Sequence, residues 1–82
     1  MTDADRFHSV VIDALALPDD ADLSSIAYGA TETWDSVGHM QLILAVEEAF
    51  GISLDADDVV EMNTYAGAAR ILRERHGLAI DD

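Results

Sequence analysis

The sequence predicts an all-α fold: a small four-helix bundle of three main helices, a short third helix and a long first loop. Three observations carry that prediction. Apolar residues recur at helical spacing in separate segments. Capping residue types stand in front of those segments and Gly or Pro behind them. The composition is rich in Ala, Leu, Ile, Val and Glu, with a single proline. The 82 residues, half of them apolar, suit one domain spanning residues 1–82.

The first helix is expected over about residues 3–16. Thr2 and Asp5 have capping-box spacing, with Asp in place of the usual Glu or Gln. Phe7, Val10, Val11, Ala14 and Leu15 form its apolar face, and Pro18 is expected to stop it near Leu17. The stretch "PDDADLSSIAYGATETWD", residues 18–35, is long for a connection in so small a domain. Such loops are functional or hide a short helix, and Leu23, Ile26, Tyr28 and Trp34 are its candidate anchors.

The second helix is expected over residues 36–50, with Gly51 as a left-handed cap. Asp55 and Asp58 open a short third helix over 56–61, whose apolar residues are Val59, Val60 and the following Met62. Thr64 caps a fourth over 65–76, with Tyr65, Ala68, Ala69, Ile71 and Leu72 on its buried face. Arg70, Arg73, Arg75 and His76 gather toward its end, where positive charge suits the helix dipole. Gly77 closes it, and "LAIDD" reads as a frayed tail.

Charge narrows the function. The chain carries 17 Asp and Glu against four Arg and no Lys, a formal net charge of −13. Small domains ordinarily carry a net charge of roughly 2–8. Such a surface repels phosphate backbones and anionic lipid and suits a basic protein partner. No nucleic-acid or membrane partner is therefore expected. Without cysteine there is no disulfide framework, protein thiolate or Cys-ligated metal. No basic-then-apolar leader opens the chain and no apolar run is long enough to span a bilayer, which points to the cytoplasm.

The second helix is apolar on two sides. At about 100° per residue, Leu42, Ile43, Val46 and Phe50 cluster on the core face, with His39 near its start. Gln41 and Glu48 lie opposite. Val37 and Leu44 fall near those polar residues, with Met40 on the flank and Glu47 and Glu48 as an acidic rim. This strip starts beside Ser36. It reads as a docking surface or as ordinary scattered surface apolarity.

Ser36 itself, between Asp35 and Val37, can be a cap, a nucleophile or an attachment point. A helix N-terminus favours an anion such as a phosphate ester on the serine oxygen. Asp35, Ser36 and His39 supply the residue types of a catalytic triad. There is no G-x-S-x-G elbow and no orienting group on a separate element, so no catalytic residue is assigned. Asp55, Asp57 and Asp58 do not make a calcium loop, because Val60 and Ala66 stand where Gly and Glu are required. No metal site is expected. The acids read as helix-start residues and a solvated face.

Taken together, "DSVGHMQLILAVEEAFGI" (residues 35–52), then "DADDV" and "TYAGAARIL" in order, closely resemble the acyl carrier protein family, including the peptidyl and aminoacyl carriers of the same fold. The resemblance covers nearly the whole chain. It implies an acyl-carrier-type bundle that is not itself an enzyme. It implies 4′-phosphopantetheine attached to Ser36, with Asp35 as motif neighbour, and an acyl or aminoacyl group held as a thioester on the arm. It implies partner docking through Val37, Met40, Gln41, Leu44, Glu47 and Glu48. The partners would be a phosphopantetheinyl transferase, an acyl- or aminoacyl-loading ligase, and condensing or tailoring enzymes with basic docking surfaces; the chain would act as a monomer. Carriers of primary fatty-acid synthesis resemble it less, since Gly38 and Gln41 stand where those carry acids. "WDSVGHM" is more similar to stand-alone carriers of a specialised polyketide, nonribosomal peptide or related pathway. The alternatives are a fatty-acid carrier and an unmodified acidic protein-binding module.

Overall fold

Each helix begins on a side-chain oxygen that accepts a backbone N–H from the first turn. The computed structural model describes residues 2–80. Helix α1 (Asp3–Ala14) opens with a reciprocal capping box between Thr2 and Asp5. Helix α2 (Ser36–Phe50) is capped by Asp35, whose Oδ1 accepts the Gly38 N–H at 2.9 Å. Helix α3 (Ala56–Glu61) has a second box, between Asp55 and Asp58. Helix α4 (Tyr65–His76) starts on Thr64, whose Oγ1 accepts from Gly67 at 2.9 Å. Caps of this kind contribute about 1 kcal/mol each.

Helix α1 ends at Ala14, two residues short of the expected end at 16, and Pro18 is not what stops it. The chain turns earlier because Ala16 takes a left-handed conformation, φ +52°. Leu17 N–H then donates to Ile12 O at 2.9 Å, and Ala16 N–H to Asp13 O at 3.3 Å. That pattern is a Schellman closure, in which the left-handed residue is normally Gly. An alanine there is strained by about 1–2 kcal/mol. Ala16→Gly is expected to stabilise the domain by about 0.5–1 kcal/mol once the entropy gained by the unfolded chain is deducted. A urea midpoint equal to or below that of the wild type would contradict this account.

The long first loop does hide a helical turn. Leu23–Ser25 forms one 3₁₀ turn on Asp22, which accepts from both the N–H and the hydroxyl of Ser24. Leu23, Ile26 and Trp34 are buried anchors, as expected. Tyr28 is not: 45% of it is exposed. Its backbone is what holds it, since Tyr28 N–H donates to Asn63 O at 2.9 Å beside an isolated bridge between Ala27 and Thr64.

Helix α1 packs on α2, and α4 packs on α3 and on the 3₁₀ turn. Phe7, Val11, Leu15, Leu42, Val46, Met62 and Leu72 are essentially fully buried between them. Ile12 joins this core although it lies off the expected apolar face of α1. Val60 leaves it: 74% exposed, it points away from the position its apolarity suggests. No helix among the described residues is long and apolar enough to cross a membrane.

Two sequence expectations near the end of the chain are corrected. The tail is not frayed as far as it is described. Ile80 is 1% exposed, Ala79 N–H donates to Asp3 Oδ2 at 2.9 Å, and Arg73 donates to Ile80 O at 3.2 Å. An apolar side chain and two long-range hydrogen bonds offset the entropy of ordering this strand of chain. Asp81 and Asp82 lie outside the described residues. Asp58, expected on a solvated face, is buried at 3% exposure. Its oxygens accept from Arg75 at 2.8 Å and from His76 Nε2 at 2.9 Å. So the end of α4 does more than complement its dipole: Arg75 and His76 clamp α4 to α3.

Burial pushes the Asp58 carboxyl upward, but the bonds from Arg75, His76 and the Asp55–Asp58 box outweigh it and hold it below the usual aspartate range. A depressed carboxyl contributes stability that is fully present above its unfolded value and is lost as pH falls through the folded one. Asp58→Asn should therefore cost about 2–3 kcal/mol at neutral pH. The gap between the melting temperatures of variant and wild type should close as pH falls below about 4. A gap that does not change down to the acid limit would contradict the assignment.

Candidate functional site

The site is the N-terminal turn of α2 with the loop before it and the face of α3 beside it. Ser36 is exposed and occupies the first position inside the helix. Capping falls to Asp35 instead, because only the extended residue before the helix can turn its side chain back onto the first-turn N–H groups. The Ser36 hydroxyl is thereby relieved of any structural duty and faces solvent. Of the three readings open at the sequence level, capping is the one that the geometry removes.

Gly38 explains how the loop reaches this position. It is buried, and a Cβ on it would lie 2.0 Å from the Thr33 carbonyl oxygen and 3.3 Å from Leu15 Cδ2. The missing side chain lets the Thr33–Trp34 backbone lie against the first turn of α2.

His39 joins three elements. Trp34 is 1% exposed, and its Nε1–H donates to His39 Nδ1 at 2.9 Å. His39 Nε2 lies 2.7 Å from Val59 O on α3. With Nδ1 accepting, Nε2 carries the proton and donates to that carbonyl. Trp34 and His39 stack with centroids 6.1 Å apart, and Tyr28 meets His39 edge-on at 5.2 Å. Both ring nitrogens are thus occupied by structural partners, so His39 has no free nitrogen with which to activate Ser36. Sequence reading placed His39 on the core side but missed this relay. The signal available was an aromatic N–H donor five residues before a histidine at the start of a helix.

The apolar strip along α2 is exposed, as its azimuth predicts. Val37, Met40 and Leu44 are 65%, 53% and 60% exposed. Gln41 and Glu48 are exposed beside them. Glu47 differs: it is half-buried, and its Oε2 accepts the Leu54 N–H at 2.8 Å. One of its oxygens is committed to holding the α2–α3 connection. Gly51, left-handed at φ +65°, directs the chain into that connection, and its N–H closes the helix on Glu47 O.

The start of α2 fits a serine-linked phosphodiester. Ser36 is accessible and unengaged, and the helix end presents partial positive charge. The Asp35 carboxylate beside it is drawn back onto Gly38 N–H. Among the described residues no cluster of three or more His, Cys, Asp or Glu could hold a metal ion.

The comparisons with known proteins agree with this geometry. Residues 5–72 match the family described as the phosphopantetheine attachment site. The chain is 28% identical over 65 residues to acyl carrier protein 4, chloroplastic, of Cuphea lanceolata, covering 79% of this chain and 47% of that one. It is 28% identical over 65 residues to acyl carrier protein 1, chloroplastic, of the same plant, covering 79% and 46%. Against acyl carrier protein 3, chloroplastic, identity is 26% over 72 residues, covering 88% and 50%. The chain spans about half the length of these curated relatives. No solved structure matches it significantly. A family match over most of the chain, on a bundle whose second helix opens with an exposed and unengaged serine, places this protein in the phosphopantetheine-binding acyl carrier protein family.

Proposed function

We propose that residues 1–82 form a carrier domain, not an enzyme, that holds acyl or aminoacyl groups on a 4′-phosphopantetheine arm at Ser36. The observation that carries this reading is the division of labour at the start of α2: Asp35 caps the helix and leaves the Ser36 hydroxyl exposed. When bound, the arm supplies the thiol that this cysteine-free chain lacks. The chain's own residues present the arm rigidly, through the Gly38 contact and the Trp34–His39 relay, and give partners a surface to meet.

That surface is the strip of Val37, Met40 and Leu44, with Gln41 and Glu48 alongside and Glu47 as its anchored edge. Its partners are a phosphopantetheinyl transferase, an acyl- or aminoacyl-loading ligase, and condensing or tailoring enzymes with basic faces. Steering by the −13 charge supports fast, weak exchange among them. Uncharged Gly38 and Gln41 in the first turns of α2, of which only Gln41 is exposed, support a dedicated specialised pathway over general fatty-acid synthesis.

The test is the intact mass after incubation with coenzyme A, magnesium and a broad-specificity phosphopantetheinyl transferase. A gain of one phosphopantetheinyl group is expected. No gain there, and none in the host's own lysate while a control carrier is modified, would sink the proposal in favour of an unmodified binding module.

A further inference from the structure

The chain has no cysteine, so the sulfur chemistry of its own side chains falls to methionine. Met62 is fully buried in the core, and the oxidisable indole of Trp34 is 1% exposed. Met40 is 53% exposed and carries the only accessible thioether among the described residues; Met1 lies outside them. A thioether at the surface meets oxidants that a packed core excludes.

Its position gives this sulfur a consequence. Met40 stands four residues after Ser36, one turn along α2, with Val37 and Leu44 as its neighbours on the exposed strip. An enzyme that reaches the Ser36 hydroxyl descends on the surface around it and covers Met40. Sulfoxidation there replaces a flexible apolar side chain with a polar, chiral one. A partner that buries the strip must then desolvate an oxygen acceptor for which an apolar contact offers no donor. The fold does not depend on this sulfur, because Met40 is not part of the buried core. The charge of the chain also selects the oxidant: −13 repels anionic oxidants and leaves a neutral hydroperoxide free to approach.

We infer that Met40 is a reversible oxidation site, at which a hydroperoxide weakens docking at the start of α2 and so raises the KM of the phosphopantetheinyl transferase for this chain. This rests on the carrier reading. In the step itself a sulfur lone pair forms the S–O bond and the O–O bond breaks. The proton on the transferred oxygen passes to the departing one, which leaves as water when the oxidant is hydrogen peroxide. The sulfur is oxidised by two electrons and the peroxide is reduced by the same two. Methionine sulfoxide reductases, with a thiol as reductant, reverse it.

The test treats the full chain, before loading, with hydrogen peroxide, removes the excess with catalase and locates the added oxygen by fragment masses. Met40 should take up one oxygen well before Met62, and the melting temperature should hold. Loading from coenzyme A is then measured against chain concentration. The KM of the oxidised chain should rise about tenfold, the scale of one polar group buried without a partner. The kcat should change little, because Ser36 and its Asp35 cap are untouched. Reductases for both sulfoxide epimers should restore the KM. Met40→Leu, whatever its own KM, should give the same KM before and after peroxide. Met40→Gln, which fixes a polar amide at this point, should load with a raised KM and no peroxide. Oxygen entering Met62 first, a KM that oxidation leaves unchanged or reduction fails to restore, or a Met40→Leu chain that peroxide still impairs would each overturn the inference. A chain that gains no phosphopantetheinyl group even before peroxide is added overturns the carrier reading, and this inference with it.

Discussion

A Ser36→Ala chain should gain no mass from coenzyme A and transferase, yet melt with the wild type. The second half of that statement is the informative one. If Ser36 capped α2, its loss would destabilise by about 1 kcal/mol. Here the cap is Asp35, bonded to Gly38 N–H at 2.9 Å, and Ser36 is an exposed first-turn residue, so a change within about 0.5 kcal/mol is expected. Asp35→Ala should show the reverse: a loss of about 1 kcal/mol from the missing cap. Asp35→Asn retains the capping oxygen and should hold its stability. Any fall in loading of the Asn variant then reports on how the transferase reads the carboxylate, separately from helix stability. A destabilised Ser36→Ala chain would mean that the capping geometry is misassigned.

Gly38→Ala should be the most disruptive single methyl group in the domain. On helix propensity alone, alanine would be favoured over glycine by about 1 kcal/mol. The structure reverses the sign. The new Cβ would lie 2.0 Å from a backbone carbonyl, and a backbone atom cannot swing aside as a flexible side chain can. Either α2 shifts away from the Thr33–Trp34 segment, or that segment is expelled and takes the buried Trp34 with it. Overpacking of this kind costs about 1–3 kcal/mol, and losing the Trp34–His39 bond adds about 1 kcal/mol. With the helix propensity of alanine deducted, a net destabilisation of about 1–3 kcal/mol corresponds to a fall in melting temperature of roughly 5–20 °C for a domain of this size. Because the same contact sets the start of α2, transfer to Ser36 should also slow. Unchanged thermal stability would show that the loop does not bear on the helix as described.

Much of the architecture was legible because it is local. Thr2 with Asp5, Asp55 with Asp58, Thr64 and Gly51 each act within four residues, so spacing and residue type were enough to place them. The outward azimuth of Val37, Met40 and Leu44 follows from helix geometry in the same way, and so does the position of Ser36 at a helix start. What failed was wherever backbone conformation or packing, and not residue type and spacing, set the outcome. Pro18 looked like the stop for α1, but a left-handed Ala16, unfavourable by type, ends it earlier. Tyr28 and Val60 are apolar by composition and exposed by placement. Glu47 looked like a free rim acid until the Leu54 N–H came within reach of it.

The sequence by itself determined the helices, the caps of α1, α3 and α4, the acidic surface and the position of Ser36 at a helix start, because those depend on periodicity, charge and short-range hydrogen bonding. Only the tertiary structure decided that Asp35 rather than Ser36 does the capping, that Gly38 is required by a carbonyl from the preceding loop, that Asp58 is a buried clamp for α4, and that His39 is locked between Trp34 and Val59. The physical reason is common to the last three. Each depends on which backbone or side-chain atom packing brings within about 3 Å across the bundle, and one-dimensional spacing does not contain that distance.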